Sequence, residues 1–272
     1  MNAAVYEALN LALRWTHVLT AILWVGQTFL FTWLDAQFGQ TASGGESDEE
    51  PVWMVHSGGF YRVEKIMRPA QLPDPLHWTR WESLLTWTSG FGLLLLLMYT
   101  FGGLLRPPGS STGTALMVAV SLGSLVAGWV VYDALWSSPL GRREPLAAAL
   151  SLLLLSGLTW VLMQMLSARA AWFHVGAMLG GLMTANVWMR ILPAQRRMVA
   201  SVASGEHLDP SWGSGAKQRS RHNTFIVLPL LLIMLSNHFP TLGYAHRYAW
   251  AMLGAWMLVG WVIRVAILRR GH

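Results

Sequence analysis

VWMVHSGGFYRVEKIMRPAQLPDPLHWTRWESLLTWTSGFG, residues Val52–Gly92, is the stretch on which the fold turns. Up to Arg80 it is polar, aromatic and broken by Pro69, Pro73 and Pro75, so it cannot continue as one helix. From Trp81 the character changes, and an apolar run continues to Leu105. About 20 mainly apolar residues cross a bilayer, so the stretch reads as a chemically rich loop feeding a membrane helix. The loop concentrates His56, His77, Phe60, Tyr61, Arg62, Glu64, Lys65 and Arg68 within one connection.

The surrounding composition agrees with a membrane setting. Hydrophobic residues make up 54% of the 272-residue chain and charged residues 12%, with a mean hydropathy of +0.41. These values lie outside the range of a soluble domain and inside that of a multi-span protein. The formal net charge of +6 reflects loops facing anionic lipid rather than nucleic acid. No cysteine is present, which excludes disulfides, iron–sulfur clusters and covalently attached haem. Redox chemistry here falls to histidine, carboxylate and a non-covalent cofactor.

Reading outward from the loop gives an all-α, polytopic transmembrane bundle with about seven spans, at 11–34, 81–105, 114–137, 145–166, 169–192, 223–239 and 246–268. Gly39–Pro51 is an acidic, Gly/Ser-rich connector, and residues 1–272 form a single domain without internal repeats. Fifteen of the nineteen Lys and Arg residues lie on the side of the 52–80 loop, leaving Arg14, Arg106, Arg169 and Arg247 opposite. This asymmetry puts the loop in the cytoplasm and the N-terminus outside.

Three blocks carry a family resemblance: Val52–Gly92, His174–Gln195 (HVGAMLGGLMTANVWMRILPAQ) and Lys217–Pro240 (KQRSRHNTFIVLPLLLIMLSNHFP). Together they make the chain similar to the membrane region of the bacterial membrane-bound, cytochrome-c-linked urate oxidases. The resemblance implies a multi-pass protein of the bacterial inner membrane that converts urate to 5-hydroxyisourate and passes electrons to cytochrome c rather than to oxygen. Family members usually continue into a cytochrome c domain. That domain is absent from these residues, so the implied acceptor is a separate cytochrome c.

The cytoplasmic helix ends collect polar groups from several spans: Glu82, Tyr132, Asp133, Asn186, Arg190, Lys217, Arg219, Arg221, His222 and Asn223. His56, Tyr61, Glu64, Lys65 and His77 of the loop are expected to face them. A planar anion with several carbonyls, such as urate, suits this inventory. Arg or Lys would hold its charge, amides would read its edges, and an aromatic ring would cover its face. Under the resemblance, His56, Glu64, His77 and His222 are the candidate catalytic groups. Tyr61, Lys65, Glu82, Asp133, Asn186, Lys217, Arg219, Arg221 and Asn223 are the candidate substrate-binding groups. Each has a plainer alternative: Arg219 and Arg221 as positive-inside anchors, Glu64 and Lys65 as partners of neighbours, and Asp133 as a helix-end partner of Arg142 or Arg143.

Counting from the expected helix starts, His17 and His174 lie at similar depth in the outer leaflet. This makes them candidate axial ligands of a haem b, with His238 as an alternative ligand. The competing reading satisfies each ring with a neighbouring hydroxyl or carbonyl. Two other function classes keep the same residues, namely a b-type cytochrome subunit without its own substrate and a purine or proton transporter.

Overall fold

The computed structural model describes residues 2–41, 50–67, 69–100 and 104–269, with no side-chain description at 39–41 and 267–269. The expectation of a connector over Gly39–Pro51 lies largely outside these residues. Long apolar runs become helices wherever proline and glycine permit. They are α1 (Ala3–Thr41), α2 (Trp81–Leu94), α3 (Thr114–Ser137), α4 (Glu144–Met165), α5 (Ala168–Ala185), α6 (Leu192–Ser204), α7 (Pro210–Ser236) and α8 (Ala249–Arg269). Two widened, π-helical turns extend this pattern. Leu95–Tyr99 continues α2, and Asn186–Ile191 joins α5 to α6 in one unbroken run.

The helix ends follow local chemistry. Ser167 caps α5 by accepting from the Ala170 amide at 3.2 Å, and Asp209 caps α7 ahead of Pro210 by accepting from Ser211. Gly205 stops α6 with a left-handed φ of 68°, a conformation that costs glycine little.

Among the described residues, six helical stretches are long and apolar enough to cross a membrane: 3–38, 81–99, 114–137, 144–165, 168–204 and 249–266. The outward-facing side chains on these stretches are large and apolar, such as Leu11, Ile22, Val126, Leu153 and Val262. Such a surface is stable against lipid and not against water. The expected sixth span, 223–239, is not among these six; it is the apolar half of α7, whose first half is polar. It packs within the bundle, with Val227 and Ile233 buried.

The most buried element is α5, which packs against α2, α3, α4 and α7. Gly176 permits its contact with α7, because a Cβ there would lie 2.6 Å from the Met234 methyl. Trp172 locks the same pair by donating to Ser236 at 2.8 Å. Pro229 interrupts the hydrogen-bond ladder of α7 and rests against Gly260 of α8, where a Cβ would meet its ring at 2.6 Å.

The loop after α1 holds an element the sequence pattern did not disclose. β1 (Val52–His56) and β2 (Gly59–Val63) form an antiparallel hairpin. Ser57 and Gly58 turn it with φ values of 49° and 77°, both in the left-handed region that a tight hairpin turn needs.

Candidate functional site

Four residues of α7, Arg219, His222, Asn223 and Ile226, recur at three- and four-residue intervals and therefore share one face. All four are buried. The end of α3 presents Tyr132, Asp133, Trp136 and Ser137 to that face, and the widened turn after α5 presents Asn186. A widened turn changes the angular register of the residues that follow, a device common at functional sites.

The hydrogen bonds between these residues have a direction fixed by their anchor. Asn223 Nδ2 sits 3.0 Å from the Met183 carbonyl, which can only accept, so Asn223 Oδ1 faces inward. It accepts from Asn186 Nδ2 at 3.0 Å. The same Asn186 amide donates to Tyr132 Oη at 2.9 Å. Tyr132 in turn donates to His222 Nδ1 at 2.7 Å, which leaves the His222 proton on Nε2. Trp136 lies over the imidazole, with ring centroids 4.1 Å apart. Burial, followed by the guanidiniums of Arg219 and Arg221, pushes His222 down to about 3, so the ring is neutral near pH 7.

Arg219 is fixed by α3. Its Nη2 reaches Ser137 Oγ at 3.0 Å and Asp133 Oδ1 at 3.0 Å, and its guanidinium lies 5.2 Å from the centre of the Tyr132 ring. Asp133 also receives Arg190, whose Nε donates at 2.8 Å. Asp133 therefore serves neither Arg142 nor Arg143, the partners its sequence position suggested. Two buried polar atoms in this cluster have no hydrogen-bond partner among the described residues, Arg219 Nη1 and Asn186 Oδ1. One is a donor on a cation and the other an acceptor on an amide.

The remaining sequence candidates lie elsewhere. Arg221 pairs with Glu144 of α4 on the neighbouring face of α7. Lys65 and Lys217 converge on Asp35 of α1, Lys217 at 2.8 Å. Glu82 accepts from Gln27 at 3.2 Å between α1 and α2, and its Oε2 is buried with no partner among the described residues. Glu64 pairs with Arg62 at 2.5 Å on the exposed loop. His56, Tyr61 and His77 are exposed, and among the described residues no contact joins them to the cluster. The expectation that the whole loop faces the polar helix ends thus holds only through Lys65 and Asp35. Trp136, Ser137 and Glu144 were not singled out from the sequence. Trp136 and Ser137 lie one helical turn beyond Tyr132 and Asp133, a spacing that could have drawn attention to them.

The haem expectation fails a geometric test. His17 Nδ1 lies 2.8 Å from the Thr86 carbonyl, and its ring packs where a Cβ on Gly90 would sit 2.7 Å away. His174 donates from Nδ1 to the Ala170 carbonyl at 2.7 Å and accepts from Tyr99 at 2.7 Å through Nε2. Tyr99 also meets Ser121 at 2.7 Å. The two rings differ in depth as well. α5 runs beside α2 with Thr184 and Trp188 at Ser83 and Gly181 at Trp87. The level of His17 is thus that of Gly181, seven residues from His174, or about 10 Å at 1.5 Å per residue. One iron needs two nitrogens about 4 Å apart, which this arrangement does not supply. The matched depth inferred from sequence placed the start of α1 near Leu11, whereas the helix begins at Ala3. His238, exposed beyond the end of α7, makes no contact with either ring among the described residues.

Fold and site together define a polytopic helical membrane protein that buries a directed polar network among its spans. The chain belongs to the urate oxidase N-terminal family, whose model matches residues 3–272. No curated protein and no solved structure gives a match. The family supports a role related to urate oxidation.

Proposed function

We propose that this domain is the urate-oxidising part of a bacterial inner-membrane oxidoreductase. It converts urate and water to 5-hydroxyisourate and delivers two electrons to a cytochrome c rather than directly to oxygen. The observation that carries this reading is the pair of unpartnered buried atoms in one cluster, Arg219 Nη1 and Asn186 Oδ1. Leaving such atoms unpaired costs about 1–3 kcal/mol each, more for a charged group, and a ligand that pairs both recovers that cost. The urate monoanion offers both complements, a charge-bearing oxygen for the guanidinium and a ring N–H for the amide oxygen.

In this reading Arg219 holds the anion, kept in place by Asp133 and Ser137, and Asn186 orients it. Tyr132 and His222 move protons. The neutral His222 is a weak resting base, but it can gain a proton at Nδ1 from Tyr132 as it loses one at Nε2, which makes it a relay. No step is routed through haem, because His17 and His174 do not fit a shared iron.

The test is anaerobic urate turnover by the purified protein with ferricyanide or oxidised cytochrome c. Turnover that falls in Arg219→Gln and Asn186→Leu while both variants keep wild-type membrane levels is the expected result. Absence of urate consumption with either acceptor overturns the proposal.

A further inference from the structure

Beside the polar cluster lies a cavity of about 770 Å³ between α3, α4, α5, α7 and α8. This is within the size range of small-molecule sites, yet its wall is unlike that of a site for urate. Most of its length is aliphatic, built from residues such as Leu155, Leu158 and Leu179. Only one end is polar, where Tyr132, His222, Arg221 and Glu144 line it. Rim residues on three spans, Val131, Leu154, Leu258 and Trp261, are roughly half exposed, so the cavity opens sideways through the bundle wall, where lipid lies. A ligand for this shape has a long apolar tail and a compact polar head, and it enters from the bilayer.

The chemistry of the polar end selects the head. The one cation lining that end among the described residues, Arg221, is already paired with Glu144, so a phospholipid phosphate finds no free positive charge there. His222 spends Nδ1 on Tyr132, and no hydrogen bond to its Nε2 is seen among the described residues. Because Tyr132 donates to Nδ1, Nε2 carries the proton and is a donor, and the Trp136 ring lies 4.1 Å from the imidazole, centre to centre, as an aromatic wall. A neutral planar head bearing carbonyl oxygens matches a single N–H donor and an aromatic face.

The geometry points to a binding site for a lipid-soluble quinone, with a head carbonyl on His222 Nε2 and the tail along the apolar groove between α4, α5 and α8. Its role as electron acceptor rests on the urate reading above; its binding does not. In the balanced step, the urate monoanion and water give 5-hydroxyisourate, two electrons and one proton, and the quinone takes the two electrons, that proton and a second one from solvent to become the quinol. One proton reaches the quinone oxygen from His222 Nε2 and is replaced at Nδ1 through Tyr132. The other comes from water at the partly exposed Arg221–Glu144 end. The quinol then leaves through the lateral opening, and a cytochrome c receives its electrons in a later reaction. A mobile quinone thus fills the carrier role that His17 and His174 do not supply with haem.

The experiment uses the full chain in nanodiscs, decylubiquinone as acceptor, ferricyanide as a control acceptor, and Ala148→Trp to fill the groove. Ala148 lines the cavity but is exposed, so a larger side chain there does not disturb the packed core. The expected result is one decylubiquinol formed per urate consumed. Ala148→Trp lowers that rate about tenfold or more, equivalent to one factor of ten in affinity per 1.4 kcal/mol, while ferricyanide-linked turnover stays at the wild-type level. Ferricyanide-linked turnover without any quinone reduction overturns the inference, as does a quinone rate that Ala148→Trp leaves unchanged. Photolabelling with an azido-ubiquinone gives an independent reading even if urate is not oxidised at all. Label on peptides spanning 127–136, 144–158 or 221–226 that is lost in Ala148→Trp supports the site, and label elsewhere, or label that only added phospholipid displaces, rejects it.

Discussion

His174 and His222 are both buried histidines on helices that pack in the same bundle, each hydrogen-bonded to a tyrosine of another helix. They differ in what remains over. His174 has both ring nitrogens occupied, by Ala170 and Tyr99, and is fully buried. His222 has Nδ1 occupied, no hydrogen bond to Nε2 among the described residues, and a place in the wall of a cavity. Burial of an ionisable group is therefore not what separates a structural residue from a functional one. The difference lies in the leftover hydrogen-bonding capacity and where it points.

The largest expected effect comes from the cation of the open cluster. Arg219→Ala removes the unpartnered guanidinium donor of the site and, among the described residues, leaves Asp133 with Arg190 alone. Anaerobic urate turnover should fall by about 10²–10³, the range seen when one preorganised electrostatic donor is removed. An unaltered rate would return Arg219 to the role of a positive-inside anchor.

Next comes the histidine comparison itself. His222→Phe should lower turnover by about 10²-fold, in the range for loss of a positioned proton-transfer group. His174→Phe should leave the turnover of folded protein close to wild type. It should lower thermal stability instead, by about 1–3 kcal/mol, because Tyr99 and the Ala170 carbonyl lose a buried partner. If the two substitutions exchanged these outcomes, the distinction between open and closed histidines would be wrong.

A smaller effect sharpens the same contrast through pH. His222 is held neutral in the fold, down to about 3, while the unfolded chain protonates it near 6.5. Between these values the unfolded state binds the extra proton, so stability from this group is full above about 6.5 and is lost as the pH falls toward 3. The melting temperature of the wild type should therefore drop more steeply over that interval than that of His222→Phe.

The smallest effect is expected on the loop. His56→Ala, Glu64→Ala and His77→Ala change exposed residues outside the cluster and should leave turnover within about twofold, as surface substitutions usually do. Loss of activity in any of them would show that the loop closes over the site.

How much of this was legible in the sequence can be judged from particular residues. The apolar runs at 114–137 and 145–166 reappear as α3 and α4 almost residue for residue, because uninterrupted apolar segments bounded by Pro and Gly leave the backbone no other way to satisfy its hydrogen bonds in lipid. Arg219, His222 and Asn223 were picked out as candidates from residue type, but their shared face was not legible, because the span was expected to start at 223 whereas α7 begins at Pro210. The depth of His17 was not legible either, because it depended on where α1 starts and moderately polar residues ahead of Leu11 extend the helix. The Val52–Val63 hairpin was hidden among polar and aromatic residues whose strand alternation is short. The widened turn at Asn186–Ile191, which aims Asn186 at Tyr132, has no signature in residue type. The cavity is equally silent in sequence, since it arises from how five helices meet.

The most direct measurement is urate consumption by the purified protein under anaerobic conditions with ferricyanide, comparing wild type, His222→Phe and His174→Phe at equal folded concentration. The account expects turnover without oxygen in the wild type and in His174→Phe, and near loss of it in His222→Phe. No turnover in the wild type, or equal turnover in both variants, would contradict it.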